Sequence, residues 1–166
     1  MTVVIDANAL VALIASEPNG PAVSELIERW IAEERELHAP ALARYEVANV
    51  LTRQHAAGRL SKEDIKSGWQ ALEELPITYH ALLDGPAVID VAATLGRRSA
   101  FDASYVALAR ILDAELWTLD GPLARNAAGQ KLPVRLIDSN DRKAQGSTAP
   151  DVPASEPPDQ ERSPPT

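Results

Sequence analysis

Four acidic residues stand where chemistry is possible: Asp6, Glu46, Asp102 and Asp120. Asp6 follows directly on Val3-Val4-Ile5, and Asp120 follows Leu116-Trp117-Thr118-Leu119. Each therefore closes a short apolar run, and two carboxylates at equivalent strand ends point into one crevice. Glu46 lies in ALARYEVANVLTR, one turn from Leu42 and Val50, on the flank of an apolar stripe. A carboxylate facing a core is costly unless it is paired or holds a metal. Asp102 opens the run FDASYVALARIL. Several hard oxygen ligands converging on one or two divalent cations are what magnesium-dependent hydrolysis of a phosphodiester needs. The chain has no cysteine, and His38, His55 and His80 are scattered along it as structural or surface residues. Carboxylates must then carry any such site.

Each acid also has a plainer explanation. Asp6 and Asp120 suit the N-cap position of a following helix. Asp102 suits a first helical turn, where the macrodipole favours negative charge. Glu46 has Arg44 and Arg53 within reach as ion-pair partners, or it turns to water. The signal is the set of four.

The elements that must position these acids alternate in type. Strands are predicted over residues 2–5, 36–39, 77–79, 115–119 and 134–137. Helices are predicted over 9–15, 21–34, 41–57, 86–95 and 101–112, with another opening at Ser61 and a short one from Pro122. Ser61 followed by Asp64 has the form of a capping box. Short strands alternating with helices imply an α/β fold, three layers deep, with about five strands in a mostly parallel sheet. Ligands in such folds sit at the carboxyl ends of the strands.

The 166 residues suffice for one domain with a sizeable core. Composition changes near Asn140, beyond which six of the thirteen prolines and almost no large apolar residues lie. The expected organisation is a domain over residues 1–139 and a disordered proline-rich tail over 140–166. The opening MTVVIDANAL lacks the features of a secretion signal, and no apolar run is long enough for a membrane span. A cytoplasmic protein is expected. A net charge of −8 argues against holding nucleic acid by bulk positive charge. Bound divalent cations supply positive charge locally, so a nuclease is not excluded.

Three stretches resemble the PIN-domain ribonucleases, and in particular the VapC-type toxins of bacterial toxin–antitoxin modules. They are VVIDANALVALI, PALARYEVANVLTR and FDASYVALARILDAELWTLDGPLAR, and in order and spacing they span about residues 2–137. The resemblance implies that Asp6, Glu46, Asp102 and Asp120 ligate Mg²⁺ or Mn²⁺, and that RNA phosphodiesters are hydrolysed by a metal-activated water without a protein nucleophile. It places Asn8 as a residue that orients Asp6 or a bound water, the alternative being a plain N-cap. Thr118 matches the polar residue before the last acid, the alternative being that threonine suits a strand. Arg44, Arg53, Arg97, Arg98 and Arg125 are candidates for gripping phosphates. The resemblance further implies a homodimer and a cognate VapB-like antitoxin that reaches the acidic site. Leu26, Trp30 and Trp69 are apolar helix residues available for either contact or for the core.

Three other readings stand beside it. A non-catalytic PIN-like module would bind RNA or a protein, and a DNA-directed nuclease would share the fold. A phosphotransfer enzyme is disfavoured: Asn8 occupies the place of a phosphatase's second aspartate, and Lys131 precedes the last strand where a receiver has its lysine at the strand's end.

Overall fold

The computed structural model describes residues 1–82 and 84–138. The proline-rich tail expected beyond residue 139 lies outside them. Five strands form one sheet: β1 (Thr2–Ile5), β2 (Glu36–Pro40), β3 (Ile77–His80), β4 (Glu115–Thr118) and β5 (Val134–Leu136). Their order is β3-β2-β1-β4-β5, and every pairing is parallel. The sheet is thus wholly parallel. Val3, Val4 and Ile5 of central β1 are all buried, as expected of a strand covered on both faces.

Among the described residues, seven helices connect the strands. They are α1 (Ala7–Ile14), α2 (Gly20–Ala32), α3 (Leu42–Ala56), α4 (Lys62–Glu74), α5 (Gly85–Thr94), α6 (Phe101–Ile111) and α7 (Gly121–Gly129). Helix α1 packs against α2, α3 and α4, while α5 packs against α6. The walk β1–β2–β3 runs one way and the return to β4 runs the other. Right-handed crossovers therefore place the two helix groups on opposite faces, giving three layers. The capping box at Ser61 is present in both directions, with Asp64 N–H to Ser61 Oγ at 3.0 Å and Ser61 N–H to Asp64 Oδ2 at 2.8 Å.

Two glycines let α1 sit at the centre of its layer. A Cβ at Gly20 would lie 2.6 Å from the Ala12 carbonyl oxygen, and one at Gly68 would lie 2.8 Å from that of Ile14. Any larger residue pushes α2 or α4 off α1. Trp30, only 2% exposed, meets Trp117 edge-on at 5.3 Å between centroids. Leu26 and Trp30 are therefore core, and Trp69 is part-buried against it, so none of the three offers a free docking surface. Their amphipathic helices announce an apolar face without saying what covers it.

The decisive feature is where the strand order reverses. The chain leaves β1 toward β2 on one side, while β4 pairs with β1 on the other. The crevice outside the carboxyl ends of β1 and β4 is the topological switch point of the sheet, where such folds bind ligands.

Candidate active site

Parallel register sets Ile5 beside Trp117, so Asp6 and Thr118 are neighbours at the switch point. The backbone N–H of Asp6 extends the ladder by one bond to the Trp117 carbonyl at 3.0 Å. Asp6 occupies the N-cap position of α1, yet its carboxylate makes no capping bond. It accepts instead from the Thr118 hydroxyl, Oγ1 to Oδ2 at 2.5 Å. The plain capping role does not account for Asp6.

Thr118 is the buried hub of this edge, 0% exposed. Its hydroxyl donates to Asp6 and accepts from Asn8 Nδ2 at 3.0 Å and from the Asp120 N–H at 2.9 Å. One donor and two lone pairs are all a hydroxyl has, so its capacity is fully used. Asn8 is not an N-cap either. It lies inside α1 and reaches across to β4, where its Oδ1 takes the Leu119 N–H at 3.0 Å. Asp120 does cap its helix: Oδ1 accepts from Leu123 N–H at 2.8 Å. That use engages one of its two carboxylate oxygens.

Helices bring the remaining acids. Glu46 of α3 is neither paired to arginine nor fully solvated; the Tyr105 hydroxyl of α6 donates to its Oε2. Arg44 goes elsewhere, pairing with Glu73 at 2.8 Å and lying over the Trp69 and Tyr79 rings. Arg53 is exposed two turns along α3 from Glu46. Asp102 sits in the first turn of α6, and its Oδ2 lies 3.6 Å from Arg97 Nε. That is close enough for attraction and too long for a hydrogen bond, and Arg97 Nε is left buried without a hydrogen-bond partner.

Burial and the neighbouring negative charges both disfavour ionisation here. Burial pushes the Asp6 carboxyl up to about 6, with the neighbouring Glu46 and Asp102 charges raising it further and the Thr118 bond opposing. Glu46 is also raised, first by burial and then by Asp102, against the pull of the Tyr105 bond. Three of the four acids therefore sense one another. Among the described residues, no three Asp, Glu, His or Cys side chains stand closely enough, as placed, to hold a metal ion. Three carboxylates are instead turned to donors of their own, Asp6 to Thr118, Glu46 to Tyr105 and Asp120 to the Leu123 N–H, while Asp102 stands near Arg97 without a hydrogen bond to it.

The donor set nonetheless fits a hard divalent cation. It is all oxygen and all acidic, and burial with neighbouring negative charge raises Asp6 and Glu46, a penalty that a dication reverses. Asp6, Glu46, Asp102 and Asp120 are the residues that would hold it.

Two histidines expected to be scattered are brought together. His38 Nδ1 and His80 Nε2 lie 2.8 Å apart across β2 and β3, within hydrogen-bond reach. Their 42-residue separation conceals the pairing. His55 keeps a structural role, its Nδ1 bonded to the Leu60 carbonyl at 2.8 Å. Tyr105 is the site residue that sequence reasoning missed. Its one signal is a hydroxyl three residues after Asp102, on the same helix face.

Fold and site together define a doubly wound α/β domain with an acidic crevice at its switch point. The PIN domain model matches residues 3–129, and the chain belongs to the PIN-domain family. It is similar to Ribonuclease VapC3 of Pyrobaculum aerophilum, 36% identical over 132 residues, which cover 75% of this chain and 93% of that one. Two solved structures share the fold. Protein PAE2754 of Pyrobaculum aerophilum superposes with a TM-score of 0.62 at 23% identity, over 82% of this chain and 84% of that one. VapBC2 of Rickettsia felis, bound to a DNA fragment from their promoter, has a TM-score of 0.61 at 14% identity, over 83% and 100%.

The raised carboxyl of Asp6 carries a stability signature. Its folded pKa lies above the ordinary value of 3.8, so its contribution is fully favourable below about pH 4 and is lost as pH rises through 6. Without divalent cation, Asp6→Asn is expected to be more stable than the native chain at pH 7.5, by at most about 3 kcal/mol at 1.36 kcal/mol per pKa unit. The gap should close by pH 4. Paired thermal melts with chelator check this, and a variant equal or weaker at pH 7.5 contradicts it.

Proposed function

We propose that the chain is a Mg²⁺- or Mn²⁺-dependent endoribonuclease, the toxin of a type II toxin–antitoxin pair. The observation that carries this reading is the crowded set of Asp6, Glu46 and Asp102 at the switch point, with Asp120 beside it, in a member of the PIN-domain family. Similarity to a protein named Ribonuclease VapC3 supports RNA as the substrate.

The cation, when bound, neutralises phosphate charge and lowers the pKa of a coordinated water. The chain's own residues hold and orient. Thr118 and Asn8 fix the Asp6 carboxylate at the strand end, and Tyr105 fixes Glu46. Among the arginines, Arg97 is the one we assign to a substrate phosphate. Its guanidinium stands beside Asp102, its side chain is 35% exposed, and arginine binds phosphate bidentately. Arg44, held by Glu73 and two aromatic rings, braces α3 against α4 and β3. A reaction class follows: hydrolysis of an internal phosphodiester without a covalent enzyme intermediate.

Two partners belong to the same reading. One is a VapB-like antitoxin whose basic side chain enters the acidic crevice, a reading supported by the Rickettsia felis VapBC2 neighbour. The other is a second copy of the chain. Tyr45 (76% exposed), Leu82, Ile89, Phe101 (58% exposed) and Ile111 surround one groove of about 470 Å³. Apolar surface so concentrated marks an interaction face. Tyr45 and Phe101 adjoin Glu46 and Asp102 in sequence. Among the described residues no helix is long and apolar enough to cross a membrane.

The purified chain is expected to cleave single-stranded RNA with Mn²⁺ or Mg²⁺, and to stop with EDTA. Asp102→Asn should lose at least about 100-fold in rate while melting as a folded protein, as loss of a metal ligand would require. Cleavage that persists in EDTA, or in Asp102→Asn freed of host nucleases, removes the metal-nuclease reading. A folded chain that binds RNA and never cuts it favours the binding-module alternative.

Light scattering should give a dimer mass, and Phe101→Glu should give a monomer. Co-expression with the product of the adjacent upstream gene should relieve growth arrest and yield a complex. A native monomer removes the dimer; arrest unrelieved by that product, with no complex formed, removes the antitoxin assignment.

A further inference from the structure

Tyr105 reaches from α6 to α3, where its hydroxyl donates to Glu46 Oε2. A phenol is un-ionised at neutral pH, so Tyr105 is a neutral donor. A neutral donor matters here. An arginine or lysine in its place would cancel the charge that a cation needs, as Arg97 partly does for Asp102. The phenol orients Glu46 and leaves that charge in place. The same device recurs at Asp6, which is held by the Thr118 hydroxyl and by no cation. The two inner carboxylates thus share one pattern: the hydroxyl of a buried residue donating to one oxygen.

Resting on the metal-nuclease reading above, we infer that Tyr105 is a positioning residue: it sets the Glu46 carboxylate for the divalent cation, and so couples α3 and α6 to the metal. Partners of this kind, one bond behind the ligand, change metal affinity by about 10–100-fold when removed.

Mn²⁺ binding by calorimetry on the full chain tests this without reference to turnover. Tyr105→Phe keeps the ring and removes only the hydroxyl. It should weaken Mn²⁺ binding by about 10-fold or more. The same change in a Glu46→Gln background should alter affinity less than about 2-fold, because the residue acts through Glu46. Raising Mn²⁺ should restore much of the lost kcat with little change in KM for RNA. Mn²⁺ affinity unchanged in Tyr105→Phe overturns the inference, and so does an equal loss in both backgrounds. Apo melting temperatures, read alongside, register a merely structural contribution that metal affinity would not follow. A different result marks failure of the underlying reading: a native chain that binds no Mn²⁺ at millimolar concentration, or Glu46→Gln binding as tightly as native, removes both together.

Discussion

Repulsion among carboxylates gathered at one sheet edge is the constraint on which the molecule turns. Asp6, Glu46 and Asp102 come from β1's end, α3 and α6, and each raises the cost of ionising a neighbour. Such a cluster persists only if the scaffold forces it together and if nearby donors offset part of the penalty. The scaffold does so through a wholly parallel sheet whose strand order reverses between β1 and β4. The donors are mostly neutral: two hydroxyls and backbone N–H groups, with a single arginine standing off at 3.6 Å. Neutral donors leave net negative charge in the crevice. That is poor design for stability and good design for capturing a dication, the usual form of a stability–function trade-off.

The same logic explains why a chain of net charge −8 suits a polyanionic substrate. Bulk positive charge is the common route to nucleic-acid affinity, but it is sequence-independent and falls steeply with salt. An acidic crevice filled by a cation concentrates attraction at one point. The apolar groove lined by Tyr45 and Phe101 is a separate exposed face of the molecule.

Much of this was legible in the residues, for identifiable reasons. The β-branched run ending at Asp6 and the run ending at Thr118 mark strand ends, and parallel α/β topology puts strand ends on one edge. Glu46 flanking Val47 and Val50 marks an acid turned inward. What was not legible depends on contacts distant in sequence. Tyr105 meets Glu46 across 59 residues, and His38 meets His80 across 42. No local period encodes either meeting. Asn8 was placed by resemblance as an orienting residue, with a plain cap as the alternative; only the β1–β4 pairing shows which groups it reaches, Thr118 and Leu119. Leu26 and Trp30 show the converse. An amphipathic stripe looks the same whether it covers a core or awaits a partner, and here Trp30 is sealed against Trp117.

The central claim is that these acids form one cation site, and diffraction from crystals soaked in Mn²⁺ tests it most directly. The account predicts an anomalous peak bounded by the carboxylates of Asp6, Glu46 and Asp102, with Asp120 turned toward it or joined through water. A fully diffracting crystal at millimolar Mn²⁺ with no peak in that crevice, or with its only peak elsewhere on the surface, would contradict the account.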